Sequence, residues 1–283
     1  MSIKDIDAGQ DGIIRKGNDM RKIWLVLVFL GVCTSLSAET RMWTDATEGS
    51  FEGTYHKELL GGVQIKDLKG RSHLIRMEQL SKADLDYIEY YVAPEVKVKV
   101  NYDTRMLPRT EWSREDDDTT AYTFNVKVEK TSRFPHKGGL SAELFVVANE
   151  RSVQSDKHLV LMHREKTNFA FAEEKKSLCE FSVSSIQLNA YLAGWIRPFS
   201  VANRGQTYLG YIVAISNSSG QIIFCDTDIA GIRWLTDDLP LSVEKLRDLY
   251  INHHGSAASR HFNDSFKKIS PPNVRWFQRN PTI

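Results

Sequence analysis

The sequence predicts a mainly β chain: a small β-barrel of short strands, then a β-sandwich, then one C-terminal helix. Three observations carry this. Apolar and polar residues alternate with period two in many separate runs between residues 41 and 225, as in strands with one wet face. Turn-forming Gly, Asn and Asp residues separate these runs, with no long helical pattern between them. The one clear 3.6-residue apolar stripe comes late, at Leu241–Ile251.

Composition narrows the function. The chain has 283 residues, 41% hydrophobic and 26% charged, which excludes collagen-like and mostly disordered classes. Its 37 basic against 36 acidic residues exclude a generally basic nucleic-acid binder. Three cysteines are too few for a disulfide scaffold or a cysteine-rich zinc site.

Residues 1–38 read as a signal peptide preceded by an N-terminal extension. Met20-Arg21-Lys22 forms a basic end, Ile23 to Val32 an apolar run, and Ser35 to Ala38 a mostly small-residue stretch before Glu39. The apolar run falls well short of the roughly 20 residues that cross a bilayer. Residues 1–19 are polar and out of place upstream of such a segment, so Met20 is read as the start. Cleavage after Ala38 would leave Leu36 at the minus-three position, whereas cleavage after Ser37 places the small residues Ser35 and Ser37 there and at the cut. A lipid anchor on Cys33 is disfavoured by the bulky Val32 before it. The expected location is therefore exported, periplasmic or secreted, with no membrane span after cleavage. The exported part keeps 32 basic and 32 acidic residues and two cysteines. In an oxidising compartment Cys179 and Cys225, both in strand-like runs, are candidates for one disulfide. Two buried thiols are the alternative, since spacing along the chain says nothing about Cα separation.

Residues 40–92 make the small module. Phe51, Gly53 and Tyr55 alternate with polar residues, as do Val63 and Ile65, and then His73, Ile75 and Met77. Asp67-Leu68-Lys69-Gly70 reads as a hairpin loop. Ser81 is placed to cap a short helix, with Asp84 in its first turn. Three or four short strands with one helical turn leave only a small core.

The residues Arg41-x-Trp43-Thr44-Asp45, Gly49-x-Phe51, and Gly70 through Leu80-Ser81-x-x-Asp84-x-x-Tyr87-Ile88 resemble the SLA1 homology domain 1 (SHD1) family. His73 and Arg76 stand where that family usually has an apolar residue and often a proline. The resemblance implies an SH3-like barrel. It also implies recognition of short peptide signals, the eukaryotic founding member reading Asn-Pro-Phe-containing ones. Similar modules occur in exported proteins of planctomycete- and verrucomicrobia-type bacteria. The aromatic residues Trp43, Tyr55 and Tyr87 are the binding candidates, although one Trp in a small barrel more often belongs to its core.

Residues 95–236 carry the sandwich, immunoglobulin-like or similar. Val96-Lys97-Val98-Lys99-Val100-Asn101-Tyr102 alternates strictly, and comparable runs occupy 122–128, 140–147, 158–163, 179–188 and 207–215. Asn217-Ser218-Ser219-Gly220 then turns the chain into a return strand at 221–225. Residues 237–283 hold the helix and an irregular tail. Ser242 is read as the helix N-cap and Gly255 as its stop.

No phosphate loop, His-Glu-x-x-His run or Gly-x-Ser-x-Gly elbow is present. His253, His254, His261 and Asp264 are the nearest approach to a metal set, but adjacent helical histidines point about 100° apart. Asp116-Asp117-Asp118 reads as a solvated hairpin tip rather than a calcium loop. Trp195 and Trp234 sit among apolar residues and read as core before they read as sugar platforms. No cofactor and no metal is expected. The leading expectation is a non-catalytic protein- or peptide-binding protein. The alternative is a carbohydrate-acting hydrolase or a carbohydrate-binding sandwich, since catalytic carboxylate pairs meet in space rather than in sequence.

Overall fold

Trp43, Val63, Ile65 and Ile75 lie on one face of four short strands and are 6% exposed or less, which explains why these strands form at all. The computed structural model describes residues 39–44, 49–108, 118–151, 158–171, 177–194, 201–251 and 261–270. The predicted signal segment, Asp116, Asp117, Trp195, His253, His254 and Gly255 lie outside them. The strands are β1 (Arg41–Thr44), β2 (Ser50–Leu59), β3 (Gly62–Asp67) and β4 (Ser72–Arg76), paired antiparallel in chain order. The predicted Asp67–Gly70 loop is present. Gly70, at φ +76°, donates to Asp67 O, and the Asp67 carboxylate takes the N–H groups of Lys69 and Arg71.

The expected barrel does not close among the described residues. After β4 the chain makes a 3-10 turn (Met77–Gln79) and enters α1 (Lys82–Tyr91), where a closing strand would have run. Contact with β1 is kept by the Ser81 N–H on Thr44 O at 3.3 Å and by Asp84, which accepts the Thr44 N–H. Ser81 caps α1 as predicted, its Oγ accepting the Asp84 N–H at 3.2 Å. Leu80 and Ile88 finish the core from above. Phe134 joins the same cluster, so this module packs on the next one.

Seven of the remaining eight strands begin near where alternation predicted them, but most run longer. They are β5 (Val96–Met106), β6 (Asp118–Lys130), β7 (His136–Arg151), β8 (His158–Phe171), β9 (Leu178–Gly194), β10 (Val201–Asn217) and β11 (Ile222–Thr227). A two-residue β12 (His261–Phe262) borders β8. All belong to one antiparallel sheet, ordered β12-β8-β7-β10-β9-β6-β5, with β11 also on β10.

The sandwich arises because β10 changes partner along one edge. Residues 201–205 pair with the end of β9, whereas residues 212–216 pair with β11. The rest of β9 pairs with β6 instead. The β9-β6-β5 part packs face to face on β11-β10-β7-β8, with Phe124, Val126, Val128 and Val183 against Leu144, Val146, Val213 and Ile215. One sheet folded on itself thus supplies both layers.

The other face of β8-β7-β10 is covered by α2 (Arg233–Thr236) and α3 (Leu239–Ile251). Val243, Leu246 and Leu249 of α3 meet Phe145, Val147, Ile212 and Ala214. Leu246 is fully buried, and truncating such a side chain costs about 3 kcal/mol. The helix starts earlier than expected, and Ser242 is buried inside it rather than capping it. Asp238 takes the capping role, its carboxylate accepting the Leu241 N–H at 3.1 Å. Pro240 suits the first turn, where its missing N–H leaves nothing unpaired. No helix among the described residues is long and apolar enough to cross a membrane.

Candidate functional site

The three aromatic candidates of the N-terminal module do not converge. Trp43 is fully buried, and its Nε1–H donates to Gly53 O at 2.9 Å. It holds the core and offers no surface to a ligand. Tyr55 lines a cavity of about 20 Å3 at the junction of the two modules, with Glu58, Phe134 and His136. Burial, with Glu58 and Glu95 nearby, raises the Tyr55 pKa and keeps the phenol neutral. A space of that size holds about one water. Tyr87, like Tyr55, is partly exposed. It stacks on Tyr91 at 5.7 Å, and the Arg41 guanidinium lies 4.2 Å from its ring centroid.

Cys179 and Cys225, the disulfide candidates, are both half-buried and pack into different cores. Cys179 on β9 faces Val128 and packs with the core between the layers, whereas Cys225 on β11 packs with the core under α3. Trp234 leans edge-on against Phe262 and Phe266 and is 37% exposed. His261 is bonded to Glu150 in the interior, while Asp264 meets Ser265. Among the described residues no group of three His, Cys, Asp or Glu side chains is placed to hold a metal.

Another concave feature among the described residues lies on the α3 side of β7, β8 and β10. In register, Phe145, Glu143 and Ser141 of β7 face Arg164, Lys166 and Asn168 of β8, and Ser141 faces Ser216 of β10. The apolar half of this face, from Phe145 onward, lies under α3. The half with Ser141, Glu143 and Ser216 extends past that cover and is polar. There a cavity of about 430 Å3 opens, roofed at one side by Arg247 of α3 and walled by the Asn217–Gly220 turn. Asn217 holds that turn by accepting the N–H groups of Ser219 and Gln221.

Glu143, 1% exposed, sits at the floor between two arginines. Arg164 donates from Nε and Nη2 to Oε2 at 2.9 and 2.6 Å. Arg247 donates from Nε to Oε1 at 2.9 Å and from Nη2 to Ser216 Oγ at 2.7 Å. Lys166, opposite Glu143 and exposed, forms no ion pair among the described residues. Three cations and one anion therefore line the cavity. Both Glu143 oxygens are taken by guanidinium groups, so this carboxylate is in no position to act as a base. The Ser216 hydroxyl is likewise held by a cation rather than activated by a base. This lining is suited to hold an anion.

None of these four charged residues emerged from the sequence, yet one signal was there. Glu143 interrupts the apolar run Leu140–Val147, and a charge inside a buried strand requires a partner.

A second cluster lies at one end of the sandwich. Tyr102, Tyr122 and Tyr208 stand 5.1–6.0 Å apart, and the Tyr208 hydroxyl donates to Asp228 at 2.9 Å. Asp228 also accepts the Tyr211 N–H beside the β10 bulge at Tyr208–Gly210. A Cβ at Gly210 would lie 2.5 Å from that carboxylate, so only glycine fits. Burial and Asp228 raise the Tyr208 pKa, which keeps its proton on the phenol for donation.

No family model matches the chain, and no curated protein matches it. Among solved structures, the chain is similar to one from Akkermansia muciniphila at 13% identity and a TM-score of 0.23, over 51% of this chain and 77% of that one. A structural-genomics target solved by X-ray crystallography is similar at 9% identity and a TM-score of 0.19, over 47% of this chain and 86% of that one. Likeness at this level carries no argument about function.

Proposed function

We propose that this is an exported, non-catalytic recognition protein of the cell envelope that binds a protein or peptide ligand. The observation that carries the reading is the cavity beside α3. Its one carboxylate is closed by two arginines, and it holds cations and hydroxyls without a nucleophile–base pair. Rigid strands hold these groups in place, as recognition requires. Export rests on the basic, apolar and small-residue succession before Glu39, and the SHD1-like module adds a peptide-recognition precedent through Tyr87, Tyr91 and Arg41. The test is capture from envelope extract with the tagged protein as bait. Specific recovery of one or a few proteins supports the reading; recovery of none above a tag-only bait overturns it.

A second reading is a carbohydrate-binding sandwich, favoured by the Tyr102–Tyr122–Tyr208 cluster with its hydrogen-bonding Asp228. Aromatic faces beside polar groups suit sugar rings. Tyr102, 43% exposed, is the exposed member of that cluster. Retention on insoluble polysaccharide, lost in Tyr102→Ala, would favour it over the first.

A further inference from the structure

We infer that the cavity beside α3 is a subsite for a carboxylate carried next to an apolar group, as at the C-terminus of a peptide. This rests on the recognition reading above and gives it a ligand chemistry. Arg247 and Lys166 share the single carboxylate of Glu143 among the described residues, so an anion entering the cavity meets a local excess of positive charge on partly dried walls. Charge-assisted hydrogen bonds gain strength in such surroundings.

Arg247 uses Nε and Nη2 on Glu143 and Ser216, which leaves Nη1 without a partner among the described residues. Its guanidinium is fixed at both of those contacts, so a third contact costs little further ordering. Lys166 adds a point charge from the neighbouring strand, and Ser141 and Asn168 add neutral polar groups. Phe169 and Leu140 line the same space, so an anionic head and an apolar body fit side by side. A volume of about 430 Å3 lies within the ~300–1,000 Å3 range of ligand pockets and exceeds what a lone oxyanion fills.

The test uses the full chain and NMR or calorimetric titration with three probes: N-acetyl-Ala-Ala-Leu with a free carboxylate, the same tripeptide as its C-terminal amide, and inorganic phosphate. The free acid is expected to bind at least ten times more tightly than the amide. Lys166→Glu, at an exposed position outside the buried network, is expected to weaken the acid at least tenfold while leaving the melting curve in place. Equal binding of acid and amide, no binding of either, or an unaltered affinity in Lys166→Glu overturns the assignment. Phosphate binding more tightly than the free acid overturns the choice of carboxylate. Envelope capture run with wild type and Lys166→Glu separates the two claims. Partners retained equally by both leave the recognition reading standing and remove this cavity from it.

Discussion

Asp84 in the N-terminal module and Glu143 in the sandwich are each 1% exposed, and each is held by arginine. Their surroundings differ. Asp84 faces a single cation, Arg41 at 2.7 Å, and fills its other positions with the Thr44 N–H and the Ser81 hydroxyl. Among the described residues this charge is balanced, and Asp84 lines neither of the cavities described above. Glu143 faces two arginines with Lys166 across the strand, beside a cavity. A balanced buried pair ties β1 to α1 and does nothing more. An unbalanced one leaves cationic surface where a ligand can reach it. Arg41, Ser81 and Asp84 all belong to this balanced arrangement, and Trp43 beside them is core.

The comparison is broken most directly at Asp84. Asp84→Ala leaves Arg41 without its partner and frees the Thr44 N–H, and losing one member of a buried pair costs about 3 kcal/mol. Urea unfolding would show the midpoint falling accordingly, with no change in anion affinity at 430 Å3 cavity beside α3. A change below about 0.5 kcal/mol, the range of ordinary surface substitutions, would mean Asp84 is not what ties the module together.

Glu143→Gln sharpens the contrast. The amide keeps the shape and one acceptor, but two guanidinium groups then face each other. Because both arginines are partly exposed, the loss is expected at about 2 kcal/mol. Unlike Asp84→Ala, this variant raises the net positive charge of the cavity, so the free-acid peptide should bind several-fold more tightly in the folded protein. Lower stability with unchanged peptide affinity would place Glu143 with Asp84, as scaffold alone.

Much of the scaffold was legible because its causes are local. Ser81 caps α1 through a neighbour three residues away, and Gly70 turns within its own loop. The seven long strands were visible where one face is apolar. Their extents were not, because alternation fades where exposed polar residues take over, as from Asp103 to Met106 on β5, which is exposed throughout. The change of partner along β10 has no sequence mark, since Val201–Gly205 looks no different for pairing with β9 than with β11. Asp238 was overlooked as a cap because Ser242 stood nearer the apolar stripe. The cavity was least legible of all. Arg247 reaches Glu143 across 104 positions of chain, and only the register of β7, β8 and β10 gathers the rest.

The smallest effect concerns the junction between the two regions. His136, at the start of β7, is 4% exposed and faces Lys130, with Tyr55, Glu58 and Glu95 around the same small cavity. Burial, reinforced by the Lys130 charge and only partly opposed by the Val92 backbone, lowers its pKa below the usual 6.5. The unfolded chain therefore takes up a proton at His136 before the folded protein does. Folding stability is then unaffected by this group above pH 6.5 and falls as the pH drops through that value toward the lower folded pKa. The chain has eight histidines, so the measurement is a difference. Denaturant unfolding of wild type and His136→Leu at pH 7.5 and 5.0 should show a smaller acid-induced loss in the variant. An equal loss in both would mean that the junction accepts the proton without cost, and that its burial plays no part in holding the N-terminal module to the sandwich.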